Sequence, residues 1–307
     1  MNLLLLGPVT KDTIRKDRTA YNNTGGATYY QSTAFINLGA KVTAVVTLAS
    51  EDQSLLNGFH PDTDVVPIWT EQTMVFENIY PDPLNPNIRT QRANIPCNPI
   101  LPEYLRTLDI HGFDAVYILP LCPDDIPLET VRYIASFRKP VFVGAQGYLR
   151  HLHEGKVVLY TWLDFQEFAP YINMLFVDDT EARCILEAPN DALPDVAQRL
   201  ASSGIQEVII TRGDKGALIV SENREYIIPA FVPDVITDPT GLGDTYMAAY
   251  TLQRLRGCGV RQAGEFAAVT ATMKLEYKGA FHGSFEEVQE RMNRVEKAVS
   301  KVNEHAE

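Results

Sequence analysis

The stretch Asp238-Pro239-Thr240-Gly241-Leu242-Gly243-Asp244-Thr245-Tyr246 runs without a break into Met247-Ala248-Ala249-Tyr250-Thr251-Leu252, a helical sequence. Two glycines let the backbone turn tightly and approach a ligand with no Cβ in the way. A helix that starts here leaves its first amides pointing outward, and its dipole adds positive potential. Together these make an anion site. Asp244 lies inside it. A carboxylate at a helix start is often only a cap. Beside a docked phosphate it can also take a proton from a nucleophile. On the residues alone both readings stand, because short glycine motifs carry little information. The sequence has no Walker A motif, which argues against a P-loop enzyme. No G-x-G-x-x-G follows the first strand candidate, which argues against a dinucleotide oxidoreductase.

Upstream, the chain has an α/β rhythm. Leu3-Leu4-Leu5-Leu6 before Gly7-Pro8 predicts a buried strand that stops abruptly. Gly25-Gly26 opens a helix over residues 27–38, with Gly39 as its C-terminal cap, and residues 41–48 form a second strand. Residues 65–95 differ. Residues 73–80 alternate apolar and polar, Pro81, Pro83 and Pro86 follow, and 88–93 resume the pattern. That predicts a half-exposed antiparallel hairpin beside an α/β body, suited to cover a site. Short buried strands are expected at 115–119, 141–143, 175–177 and 207–211, with helices at 127–137, 180–186 and 193–202 between them. Residues 217–220 and 225–228 read as an antiparallel pair. Beyond 241 the chain is mostly helical, and 285–307 reads as a charged surface helix.

Composition narrows the function class. Hydrophobic residues make up 45% of the 307, charged residues 21%, and the net charge is −12. This is an ordinary globular balance. Its sign opposes nucleic acid or an anionic membrane as the main partner. No segment reads as a leader or a membrane span, so a cytoplasmic protein is expected. Cys97, Cys122, Cys184 and Cys258 form no C-x-x-C pair and are expected as reduced, mostly buried thiols. His151 and His153 read as surface residues.

The 238–244 stretch closely resembles the C-terminal signature of the ribokinase-like (phosphofructokinase-B) family: Asp, Ser or Thr, Thr, Gly, Ala, Gly, Asp. Asp238, Thr240, Gly241, Gly243 and Asp244 match it, Leu242 replaces the Ala, and Pro239 takes the second place. Gly25-Gly26 with its helix resembles the family's N-terminal signature. Thr211-Arg212-Gly213-Asp214-Lys215-Gly216-Ala217 resembles the strand and loop before its nucleotide pocket.

The resemblance implies an α/β fold, a ribokinase-like three-layer sandwich with a central, mostly parallel sheet flanked by helices and a small β lid. It implies one kinase domain over 1–307, with lid strands within 10–25 and 65–95. It implies ATP-dependent phosphorylation of a hydroxyl on a small sugar or polyol, with Mg2+. Asp244 would be the catalytic base, and the amides of Gly241, Leu242, Gly243 and Asp244 the anion hole. Asp12, Gly25 and Gly26 would bind the acceptor, with Arg92, and Arg89 beside it, reaching it from a lid strand. Thr211, Gly213, Thr240, Lys278 and Gly279 would line the nucleotide.

The family's N-x-x-E run appears as Asp178-Asp179-Thr180-Glu181, so Asp178 and Glu181 are the metal candidates. Their alternative is an acidic helix start. Ala27 and Tyr30 stand where ribokinases carry Lys and Asn, which disfavours ribose. Residues 25–30, 73–80, 97–100 and 144–150, with Arg92, look more like the myo-inositol kinase branch. Alternatives are a kinase for a ketohexose or nucleoside, or a non-catalytic sugar- or nucleotide-binding relative. The expected partners are a small-molecule substrate and a second copy of the chain through the lid, with no nucleic acid and no membrane.

Overall fold

The computed structural model describes residues 1–16, 19–81 and 90–304. Pro83, Pro86 and Arg89 lie outside the described residues. In chain order the strands are β1 (Asn2–Leu6), β2 (Thr10–Lys16), β3 (Thr19–Gly25), β4 (Lys41–Ala49), β5 (Thr63–Thr70), β6 (Met74–Tyr80), β7 (Thr90–Asn94), β8 (Ala115–Ile118), β9 (Val141–Gly144), β10 (Arg150–His153), β11 (Lys156–Leu159), β12 (Met174–Asp178), β13 (Glu207–Thr211), β14 (Ala217–Ser221) and β15 (Arg224–Ile228). The helices are α1 (Ala27–Asn37), α2 (Pro102–Leu105), α3 (Leu128–Ala135), α4 (Gln146–Leu149), α5 (Phe165–Phe168), α6 (Asp179–Ile185), α7 (Leu193–Ala201), α8 (Leu242–Leu255), α9 (Val260–Leu275) and α10 (Phe285–Glu304).

Among the described residues the larger sheet has the order β15-β14-β13-β12-β9-β8-β1-β4-β5. It is parallel from β13 to β5, and antiparallel only where β14 and β15 close one edge. The four leucines of β1 show why a parallel strand reads as unbroken hydrophobicity. Side chains alternate across a strand, so Leu3 and Leu5 enter one core and Leu4 and Leu6 the other. All four are fully buried, each contributing about 1.5–3 kcal/mol of transfer free energy. The first core is covered by α1, α8 and α9, the second by α3, α5, α6 and α7. The result is the three-layer arrangement expected from the sequence.

A second sheet, in the order β10-β11-β7-β6-β2-β3, lies beside this body. β2 and β3 fall within 10–25, and β6 and β7 form an antiparallel pair within 65–95. Two points differ. Thr63–Thr70 pairs with β4 as the outer strand of the main sheet, an edge position that tolerates Pro67. The β10–β11 hairpin was not foreseen. It turns through Glu154 (φ 51°) and Gly155 (φ 73°), both in the left-handed region that tight hairpins use.

Helix α1 buries Ala27 through Ser32 in an unbroken run. It is therefore buried on every face over these residues rather than amphipathic. The four cysteines are free, as expected, but only Cys122 is buried. Cys97 is exposed because it lies in an irregular, proline-flanked surface segment after β7. Among the described residues no helix is long and apolar enough to cross a membrane.

Candidate active site

Helix α8 begins at the glycine turn. Gly241 precedes its first residue at φ 78°, a left-handed conformation that suits glycine. An ideal Cβ there would lie 2.3 Å from the Tyr30 ring. Leu242, Gly243 and Asp244 form the first turn. Leu242 N donates a long bond of 3.4 Å to Pro239 O, and the first full helical bond runs from Thr245 N to Gly241 O at 2.9 Å. The amides of this turn therefore point out of the helix end. A Cβ added at Gly243 meets nothing within 4 Å, so the cradle is open on that side.

The first residue of the motif has a different task. Asp238 is buried, and its Oδ1 accepts from Thr240 N at 3.0 Å while Oδ2 accepts from Gly279 N at 3.2 Å. It ties the loop to the segment after α9. Asp244 is half-buried and accepts from Gln31 Nε2 of α1 at 3.4 Å.

The cradle opens onto a cleft bounded by both sheets. From the main body come Gly26, Ala27, Tyr30, Thr240, Gly241 and Asp244. From the second sheet come Thr10, Asp12, Phe76, Asn78, Gln91 and Arg150, with Gln146 beside them. Asp12 is buried. Its Oδ1 accepts from Thr10 Oγ1 at 2.5 Å and its Oδ2 from Asn78 Nδ2 at 3.3 Å. Gln91 Nε2 donates to Asn78 Oδ1 at 2.7 Å and completes a relay along three strands.

The double glycine makes room for this. A Cβ at Gly25 would overlap the Asp12 carboxyl at 2.2 Å, and one at Gly26 (φ 102°) would meet Pro8 O at 2.5 Å. Tyr30 lines the cleft between the Asp12 side and the cradle. Burial, then the charges of Asp12, Asp238 and Asp244, push its hydroxyl well above the ordinary tyrosine range.

The remaining sequence candidates divide. Thr211 ends β13 opposite Asp178, and Gly213 (φ 57°) opens the turn closed by Arg212 N donating to Gly216 O at 2.8 Å. Both lie at the C-terminal edge of the main sheet, outside the cleft lining. Lys278 is exposed, with its ammonium 4.9 Å from the centre of the Tyr21 ring of β3. Asp178 and Glu181 form a complete capping box: Glu181 N donates to Asp178 Oδ1 at 2.7 Å, and Asp178 N to Glu181 Oε2 at 2.9 Å. No cluster of three or more His, Cys, Asp or Glu able to hold a metal occurs among the described residues.

Arg92 lies away from the cleft. It is exposed, pairs in register with Glu77, and stands outside the cleft lining, because its neighbour Gln91 occupies the inward position. The arginine at the cleft is Arg150. It is buried, donates to Gln146 Oε1 at 2.6 Å, and lies 5.7 Å above the Phe76 ring. The only sequence signal for Arg150 and Gln146 was their place in the 144–150 segment. Asn78 carried the same kind of signal, its place in the 73–80 segment, and Gln91 carried none.

Residues 114–287, more than half of the chain, match the model of the pfkB family carbohydrate kinases. The chain belongs to this family. The family match takes in β8 to β15 and α8 and α9, and so includes the whole cradle. A nucleoside kinase of Methanocaldococcus jannaschii is 28% identical over 113 residues, 37% of this chain and 36% of the relative. In that alignment the chain spans about a third of the relative's length. A cytidine kinase of Thermococcus kodakarensis is 25% identical over 268 residues, 84% of this chain and 90% of the relative. Among solved structures, a pyrophosphate-dependent ribokinase-family kinase complexed with a pyrophosphate analog and myo-inositol superposes with a TM-score of 0.79. It is 21% identical and covers 94% of this chain and 99% of that one. The chain thus has the ribokinase-like α/β fold.

Proposed function

We propose that the chain transfers a phosphoryl group to a hydroxyl of a small sugar or polyol, with myo-inositol a leading candidate. One observation carries this reading: Asp244 and the amide cradle share a single cleft with the buried Asp12 and its amide relay. Asp12, Asn78 and Gln91 offer adjacent acceptors and donors, which suit several hydroxyls on one face of a ring. Asp244 takes the proton of the attacking hydroxyl. The amides of Gly241 to Asp244 stabilise the charge on the transferring group, which is most of what phosphoryl transfer asks of a protein. Thr211, Gly213, Thr240 and Gly279 serve the donor side.

ATP is the donor expected from the family resemblance. The inositol-bound neighbour is described as pyrophosphate-dependent, so both donors belong in the test. Mg2+ would be held through Asp178 and Glu181 together with donor phosphates. Paired carboxylates leaving room for water and phosphate fit that ion. The whole chain would act as one kinase unit in the cytoplasm, with the second sheet as lid and dimer surface. A nucleoside acceptor is the second reading, favoured by the cytidine kinase relative.

The test is a product screen over inositols, pentoses, hexoses and nucleosides with ATP or pyrophosphate and Mg2+. Acceptor-dependent phosphate ester is expected with a polyol. Binding without product from any pair would reduce the protein to a binder. Asp244→Asn is expected to fold normally and lose about 10²–10⁴-fold in turnover. Wild-type turnover in that variant would remove Asp244 as base.

A further inference from the structure

One charged side chain near the site has no part in the proposed reaction. Lys274, in the last turn of α9, has no solvent exposure. Its Nζ donates to Asp238 O at 2.7 Å, lies 3.7 Å from Asp238 Oδ2, and sits 5.9 Å from the centre of the Tyr30 ring. Both oxygens of the Asp238 carboxylate also receive loop amides, from Thr240 and Gly279. The ammonium is therefore tied to the residue that opens the motif and lies over the Tyr30 ring that backs Gly241. Stability alone is a poor reason for it. Burying an ammonium is expensive, and a fully buried ion pair is often no better than apolar residues of the same volume. What the pair does supply is an ammonium held at a fixed place on the residue that opens the anion loop.

We propose that Lys274 is a positioning residue, the built-in cation of the anion loop. It clamps the Asp238 carbonyl so that the amides from Gly241 to Asp244 hold one geometry, and it lends standing positive charge to the phosphoryl group in transit. The inference rests on the phosphoryl-transfer reading above. The charged or titratable groups facing Lys274 are Asp238 of the loop, Asp244 of α8 and Tyr30 of α1. Burial pushes the ammonium down to about 8, against the upward pull of Asp238 and Asp244. The cation is thus present at neutral pH and is lost as pH rises past that value.

The test uses the full chain with Lys274→Met and Lys274→Ala, on the best acceptor and donor from the screen. In Lys274→Met, kcat is expected to fall about a hundredfold, with acceptor KM changed less than about threefold. Ammonium, methylammonium or potassium is expected to restore about tenfold in Lys274→Ala and to leave wild type unchanged, because only the variant has an oxygen-lined vacancy. The wild-type kcat is expected to decline above about pH 8, and Lys274→Met is expected to lack that limb. A folded Lys274→Met within about threefold of wild-type kcat overturns the inference. If neither variant folds, a wild-type kcat that stays flat through the alkaline range overturns it, and a decline there supports it. If wild type turns over no acceptor, the transfer reading fails separately. Calorimetric titration with pyrophosphate then decides: binding about tenfold weaker in Lys274→Met supports the clamp, and equal binding sinks it.

Discussion

Gly241 and Gly243 stand two residues apart in the same turn yet answer to different constraints. Gly241 has a positive φ and the Tyr30 ring against it, and Tyr30 is itself backed by Tyr29 at 5.0 Å between ring centres. Gly241→Ala must pay about 1–2 kcal/mol for the left-handed backbone and then displace a packed ring. A loss of at least about 2 kcal/mol in unfolding free energy is expected by denaturant titration. Gly243 has no positive φ, lies inside the helix and meets only open space. Gly243→Ala is expected to stabilise the fold by about 0.5–1 kcal/mol through helix propensity. If the cradle receives a phosphate, the new methyl stands in its path and turnover falls although the protein is more stable. Unchanged turnover in Gly243→Ala would argue against close approach of an anion here.

The Asp178–Glu181 pair poses its question at the level of the element. Both carboxylates close the first turn of α6, so a purely architectural account is available. Gln serves a capping box as well as Glu, but it carries no charge for a cation. Glu181→Gln is therefore expected to keep the thermal midpoint of wild type while raising the Mg2+ concentration needed for half-maximal activity. Glu181→Ala should in addition cost about 0.5–2 kcal/mol from the lost cap. An unaltered Mg2+ response in Glu181→Gln would leave the pair as a cap only. The same level holds the hairpin of β10 and β11, which brings Arg150 to the cleft. Its signal was a two-residue Glu-Gly turn, which is weak because most pairs ending in glycine belong to other turn types.

At the scale of the whole molecule, the cleft joins the edge of the main sheet to one face of the second sheet. An acceptor that reaches Asp12 and Asp244 together must bridge the two. Acceptor binding is therefore expected to slow amide hydrogen exchange in β2 and β6, with α7 and α10 unaffected; equal slowing everywhere would mean general tightening instead. By itself the sequence settled what depends on neighbours in the chain: the glycine turn, the amides behind it, Asp244 at the helix start, the two-sided burial of β1, and the succession of strands and helices. Each rests on a few consecutive dihedral angles or on a short period. The tertiary structure decided everything that depends on which distant side chains meet. Asp12 and Asn78 are 66 positions apart, and Lys274 lies 36 from Asp238. Gln91 faces inward and Arg92 outward because strand register, set by pairing with β6, assigns alternate residues to opposite faces. A single sequence does not encode that parity locally, so the amide relay and the buried ammonium emerged only once the layers had packed.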